Sequence, residues 1–474
     1  MRRCYRPPRR WQGPRESTTS TGRPVTPHAP LTHRGVWALA LPMILSGISQ
    51  PLLGLVDTAV VGHLPDARYL GGVAVGAMLV QFVFWQFGFL RMSTTGFAAQ
   101  ALGREDGDEL RAVLGRALLA GLALALLILL LQAPLMQAAL ALVGAGETVT
   151  PEAQRYVDIR IWAAPAALAN YAFIGWFIGL HRTRSVLVLV VVMNLANIAL
   201  DLLFVVVLGH RSGGVALASL LAEYLGLAVA IGLALRLLRA HPGRWRRDLL
   251  VDRAALLALF RVNRDIFLRT LGLLFAFAFF TVQGARLGEL TVAANAVLMN
   301  FQSFMAYALD GFAHAAEALV GRTVGRRDRA AFRRAVWLAG LWSFVAAAGF
   351  ALVYLLAGPA IIRLLTDLPL VRETAMAYLP WLVLTPLVSV WAFLLDGVFI
   401  GATRAREMRN AMLVSVFMIY LPSWYLLRPF DNHGLWLALL LFLAARGLTL
   451  YWIYRRQALA QWFEPAPAQP MGQA

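Results

Sequence analysis

A carboxylate inside an apolar run long enough to cross a bilayer is there for a reason, because a charge at that depth costs at least about 2.5 kcal/mol. The first half of this chain holds two. Asp57 lies in GVWALALPMILSGISQPLLGLVDTAVVGH (residues 35–63), and Asp201 lies in VVVMNLANIALDLLFVVV. At about 100° per residue, Ser46, Gln50 and Asp57 fall on one stripe of a helix. Asn194, Asn197 and Asp201, spaced i, i+3 and i+7, share one face of another. Asp57 precedes His63 by six residues and Asp201 precedes His210 by nine, so the two acids stand at similar depth. Two carboxylates meeting in a low-dielectric cavity cannot both stay ionised cheaply, which suits such a pair to binding and releasing a proton. Asn197 is the natural third member. Gln50, Asn170, Asn194, Ser219 and Glu223 are candidates to line the adjoining cavity, with Tyr171 beside Asn170. The Asn residues are equally read as plain interhelical hydrogen-bonding groups. Pro42 and Pro51 each remove a backbone hydrogen bond from the helix that carries Asp57 and favour a bend there.

The second half has its own polar stripe. Asp310, His314 and Glu317 recur at i, i+4 and i+7, with Ser303 on the same face, and Asp396 and Arg269 are available as partners. They lie nearer the Arg-rich loops, in the cytoplasmic half, where salt bridges that close a gate are expected of them, with ion coupling as the alternative. Arg91, in FLRMSTTGF, is too deep to be a loop cation and is expected to pair with Glu223. His314 and Glu317 lack a third ligand of suitable geometry, so no metal site is expected. No nucleophile, metal triad or cofactor motif appears, and the chain does not read as an enzyme.

The elements that must position these residues follow from composition. The chain has 474 residues, 59% hydrophobic and 14% charged, with a mean hydropathy of +0.65, outside the soluble globular range. Apolar runs at roughly 35–62, 70–99, 112–143, 156–180, 186–208, 214–238, 262–286, 292–320, 333–358, 374–402, 410–428 and 434–454 are each long enough to span. The sequence therefore predicts an all-α membrane protein of twelve transmembrane helices, the third interrupted at Pro134.

The formal charge of +18 comes entirely from arginine. Most of it sits in short loops, which marks topology and not nucleic-acid binding. Leaving out residues 1–34 and the helix-embedded Arg91, Arg269 and Arg446, 24 Arg lie at one end of the helices and 8 at the other. The positive-inside rule then places both termini in the cytoplasm.

The halves also resemble each other at a constant offset of 222 residues. Ala99–Asp106 lies over Gly321–Asp328, Gly175–Gly179 over Gly397–Gly401, Arg182 and Arg184 over Arg404 and Arg406, and Tyr156 over Tyr378. Two six-helix lobes follow, at 35–238 and 262–456, related by an axis along the membrane normal. An Arg-rich connection at 239–261 joins them, with tails at 1–34 and 457–474. The first tail is rich in Arg, Pro, Ser and Thr without an apolar core, and reads as a disordered cytoplasmic segment, not a cleavable signal. Cys4 is the single cysteine, so neither an intrachain disulfide nor a thiolate metal site can form.

The stretches LALPMILSGISQPLLGLVDTAVVGHL, YLGGVAVGA, FLRMSTTGFAAQALGRED, NLANIALDLLFV, LDGFAHAAEALVGR and FLLDGVFIGATRAREMRNAM resemble the multidrug and toxic compound extrusion (MATE) transporters, over about residues 35–455. The resemblance is to the DNA-damage-inducible protein F branch. It implies two pseudosymmetric lobes around a V-shaped cavity, in the inner membrane of a bacterium. The activity implied is efflux of cationic or amphiphilic organic compounds against inward H+ or Na+. It also implies that Asp57 is the family's helix-one aspartate, Asn197 and Asp201 its helix-five pair, Ser219 its helix-six hydroxyl and Pro42 its bending proline. The archaeal helix-four Asn has no exact counterpart, Asn170 being about one turn away. Helix seven offers no convincing acid for a Na+ site, which favours H+ as coupling ion, with no other cofactor. A monomer in the lipid bilayer is expected. The rival readings are a flippase for a lipid or lipid-linked substrate, whose cavity would need several Arg or Lys, and a membrane scaffold without transport.

Overall fold

The computed structural model of the chain describes residues 31–62, 66–144, 146–458 and 462–463, and, inside helices, leaves aside the side chains of Gln50, Leu52, Leu55, Asp57, Thr58, Ala141 and Leu142. The expectations for Cys4, for the tail before residue 31 and for the side chains of Gln50 and Asp57 fall outside what is described. Every regular element among the described residues is helical. The first helix is α1 (His33–Gly62). The next eight candidate spans are α2 (Ala67–Gly103), α3 (Gly107–Leu130), α4 (Thr150–Gly179), α5 (Thr183–Val207), α6 (Arg211–Ala240), α7 (ending at Arg286), α8 (Glu289–Gly325) and α9 (Arg329–Leu365). After α10 (Pro369–Gly401), the long stretch Ala405–Gln457 holds two passes, α11 (405–427) and α12 (Asp431–Gln457), divided by a turn at Arg428–Phe430. With α1 added and that last stretch divided, the ten apolar spans become twelve passes among the described residues, the number expected.

Local chemistry explains where these helices start and stop. Asp106 and Asp328 cap α3 and α9, each accepting a backbone N–H at 2.9 Å, from Glu109 and Ala331 respectively; a cap of this kind is worth about 1 kcal/mol. The third helix ends at Leu130 and resumes as Gln132–Val143. It breaks just before Pro134, which cannot donate to the carbonyl four residues back. In α1, Pro42 leaves the Ala38 carbonyl without its helical donor, and the Thr183 hydroxyl at the head of α5 supplies one at 3.3 Å. The connection between lobes is shorter than its arginine content suggests: α6 runs to Ala240, and α7 starts at Arg253 behind an Asp252 cap. Arg111 closes the end of α6, donating to the carbonyls of Leu238 at 2.7 Å and His241 at 2.9 Å.

The repeat read at an offset of 222 is present in the packing. A Cβ on Gly175 would meet the Arg91 carbonyl at 2.2 Å, and one on Gly397 would meet the Ala313 carbonyl at 2.4 Å. These are the same contact in each half, since 91 and 313 are themselves 222 apart. The apolar cores show how the halves join. One cluster, from Val36 through Phe177 and Phe312 to Phe399, draws on both halves toward the Arg-rich end. Two others are confined to one half each, around Val80 and Leu168 in the first and around Phe280 and Trp436 in the second. The halves thus share one core at the Arg-rich end and diverge toward the other.

Candidate functional site

Between the diverging halves lies a cavity of about 1300 Å³. Its wall includes Gly54, Leu70 and Met78 from α1 and α2, and Phe277, Met299 and Ser303 from α7 and α8. It also includes Arg91, Arg269, Asp310, His314, Glu317 and Asp396. The six residues read as gating groups therefore share one surface.

Toward the Arg-rich end the space is closed by backbone-close contacts between lobes. Gly103 of α2 meets the Arg322 carbonyl of α8, and Gly325 of α8 meets the Gln100 carbonyl of α2, with ideal Cβ positions only 2.3 and 2.2 Å away. Gln100 donates to the Gly401 carbonyl at 3.0 Å and to the Thr403 hydroxyl at 3.2 Å. The His181 ring lies 3.0 Å from the Ala318 carbonyl through Nε2. Burial first, and then the nearby Arg322, push the His181 imidazole down to about 4, so it is neutral near pH 7 and donates that hydrogen bond.

Arg91 reaches across the lobes. Its Nη1 sits 3.2 Å from Glu317 and 3.3 Å from His314 Nδ1, and His314 Nδ1 sits 3.2 Å from the other Glu317 oxygen. The partner expected for Arg91 was Glu223. Glu223 instead takes Arg160, at 3.3 Å, and Asn170, whose Nδ2 donates to it at 3.0 Å. The exchange follows from topology: Arg160 and Glu223 sit at neighbouring levels of adjacent helices, whereas α2 packs its Arg91 turn against α8.

In the second half, Arg269 of α7 and Arg446 of α12 both donate through Nη2 to one oxygen of Asp396 on α10, Arg446 at 2.8 Å. Arg446 was not singled out as a site residue from the sequence, although an Arg inside LFLAARGLTL carries the same signal as Arg91. Asp310, on the cavity wall, makes no hydrogen bond or ion pair among the described residues. The acid that helix seven does offer, Asp265, is buried at the Arg-rich end and tied to Arg409 at 2.7 Å and Arg264 at 2.9 Å.

The first-half cluster is built on α5. Asp201 is fully buried, and Asn197 one turn before it is 3% exposed. The helix widens into a π turn, Leu202–Val207, immediately after Asp201, an irregularity that often marks function. Asn197 donates to the Ser219 hydroxyl of α6 at 3.0 Å, and Asn194 to the Ser49 hydroxyl of α1 at 2.9 Å. The face of α5 that carries Asp201 therefore joins α6, while its Asn194 turn joins the helix that bears Asp57. Among the described residues, the wall of the main cavity does not include Asn170, Asn194, Ser219 or Glu223, which pack between helices of the first half. No group of three His, Cys, Asp or Glu that could hold a metal occurs among the described residues.

Two lobes of membrane helices, sealed together at one end beside a cavity whose mostly apolar wall carries a few charged groups, are the architecture of a membrane transporter. The chain belongs to the MatE family, whose profile matches it twice, at residues 42–203 and 266–426. It is 46% identical to DNA damage-inducible protein F of Escherichia coli over 424 residues, covering 89% of this chain and 92% of the relative. It is 24% identical to the probable multidrug resistance protein NorM of Acinetobacter baylyi, covering 88% and 94%. Its fold matches a MATE crystal structure in the bent conformation, with a TM-score of 0.82 at 20% identity over 89% of this chain and 95% of the other. It also matches a MOP superfamily transporter from Pyrococcus furiosus, with a TM-score of 0.81 at 18% identity over 90% and 95%.

Proposed function

We propose that the protein is a secondary antiporter of the bacterial inner membrane that exports cationic or amphiphilic organic compounds in exchange for H+, with both termini in the cytoplasm. The observation that carries the reading is Asp310. It is a carboxylate without an arginine partner among the described residues, on the wall of a cavity that also presents the rings of Tyr171, Phe277, Tyr307 and Phe393. An acid and aromatic rings lining one cavity can attract an organic cation through charge and ring quadrupole together. With the Arg-rich end in the cytoplasm, the closed end faces inward and the cavity faces out, the state from which a substrate leaves and a proton enters.

Coupling is assigned to Asp57 with Asn197 and Asp201. Protonation removes a charge from a confined region, and the prolines of α1 permit that helix to repack so that proton and substrate exclude one another. Such exclusion needs different affinities for two states of the lobe. H+ is preferred to Na+ because Asp265, the acid on α7, is consumed by Arg264 and Arg409. Purified protein in liposomes should move a cationic dye when a pH gradient is imposed alone and fail to do so under a Na+ gradient alone. Dye movement driven by Na+ at matched pH would overturn the assignment of the ion.

A further inference from the structure

The charges on the cavity wall are not evenly paired. Arg91 pairs with Glu317, whose other oxygen meets the His314 ring, but Arg269 and Arg446, two guanidinium groups, share the single carboxylate of Asp396. A guanidinium carries five N–H donors. Of these, only Nη2 of Arg269 and Nη2 of Arg446 find a hydrogen-bond partner among the described residues. Both side chains are more than nine-tenths buried and both line the cavity. The Arg269 Nε is fully buried with no partner. The ring of Phe442 lies 5.7 Å from the Arg446 guanidinium and fixes its position without accepting a hydrogen bond in the plane of the fork.

A buried donor left unmatched is costly, and more so when charged. An excess cation within a membrane adds to that cost. The opposite excess is Asp310, which lines the same cavity and makes no hydrogen bond or ion pair among the described residues. The cavity thus holds a surplus guanidinium and a surplus carboxylate that are separated from each other.

We propose that Arg269 and Arg446, bridged by Asp396, form an oxyanion subsite that takes the carboxylate or phosphate of a zwitterionic amphiphile, while Asp310 receives the cationic end. Planar guanidinium forks match such oxyanions in bidentate fashion. This rests on the transport reading and narrows its substrate class from cations to molecules bearing both charges.

The test uses a matched pair of probes, a cationic xanthene dye carrying a free carboxylate and its ethyl ester, which differ only in the anionic group. Binding to the full-length protein in neutral detergent is read by fluorescence anisotropy. The acid should bind about tenfold more tightly than the ester, the equivalent of about 1.4 kcal/mol. Arg446→Gln leaves Arg269 and Asp396 as a one-to-one pair, so it should erase that preference while leaving ester affinity within about twofold. Asp396→Asn should act in the opposite sense and strengthen the acid further, which keeps the proposal testable where Arg446→Gln does not fold. Asp310→Asn should weaken both dyes. Equal binding of acid and ester, or an Asp396→Asn variant that loses the acid, would overturn the subsite. Discrimination in binding without dye movement in liposomes would overturn transport and leave the subsite standing. Movement of both dyes at equal affinity would do the reverse.

Discussion

At the scale of single residues, the molecule separates two kinds of buried acid. Glu317 and Asp396 are each held by arginine, whereas Asp201 sits at the end of a regular helix beside a π turn. Removing one member of a buried pair strands the other, at a cost of roughly 3–5 kcal/mol. Glu317→Gln is therefore expected to lower the melting temperature and the turnover of the purified protein while leaving the proton-to-substrate ratio unchanged, the outcome for a residue that ties the lobes together through Arg91 without taking the coupling ion. Adding Arg91→Met should restore most of the lost stability. An uncoupled Glu317→Gln protein would move the ion site into the second lobe. Asp57→Asn imitates the protonated form, and is expected to fold and to abolish proton-driven efflux. Asp201→Asn should instead shift the pH profile of transport. Wild-type rate and pH dependence in the Asp57 variant would refute the assignment.

Among elements, the two halves use the same construction twice. Gly175 and Gly397 occupy equivalent turns of α4 and α10, and each lets a neighbouring backbone approach to where a methyl group would overlap a carbonyl oxygen. Gly175→Ala and Gly397→Ala should each destabilise by about 1–3 kcal/mol through overpacking, read as a lower melting temperature in detergent. Equivalence predicts losses of similar size. A neutral result at either position would mean that the halves are alike in sequence but not in packing tolerance.

For the whole molecule, the Arg-rich end is a seal made of close backbone approaches and a few neutral hydrogen bonds. His181 belongs to it with its ring held neutral, its pKa lowered from 6.5 to about 4. A histidine whose folded value is depressed contributes its full share of stability above about pH 6.5. As pH falls toward 4, the unfolded or opened form binds the proton first and that share is lost. Acidification through this window should lower the melting temperature of the closed state by a few degrees, and His181→Gln should flatten that part of the profile. An unchanged profile would mean that the His181 hydrogen bond does not hold the seal. The orientation has its own check: on a background lacking Cys4, single cysteines placed in the connection at 241–252 should be labelled from the cytoplasm only. Labelling from outside intact cells would invert the topology.

The pattern of apolar runs, the arginine distribution and the 222-residue offset together determined the fold class, because spanning length, loop charge and internal repetition are properties of the chain read linearly. They also pointed to the acids inside the spans, since any carboxylate in an apolar run stands out by its cost. What they could not determine was partnership. Arg91 was matched to Glu223 because both are deep and opposite in charge. Only the packing of α2 against α8 gave it Glu317 and His314, and only the meeting of α4 and α6 gave Glu223 to Arg160 and Asn170. Arg446 shares Asp396 with Arg269 because α7, α10 and α12 converge there, and no spacing along the chain encodes a convergence of three helices. Depth and charge are written along one dimension, but a pair, a shared carboxylate and an unmatched guanidinium come into being when helices distant in sequence pack against one another.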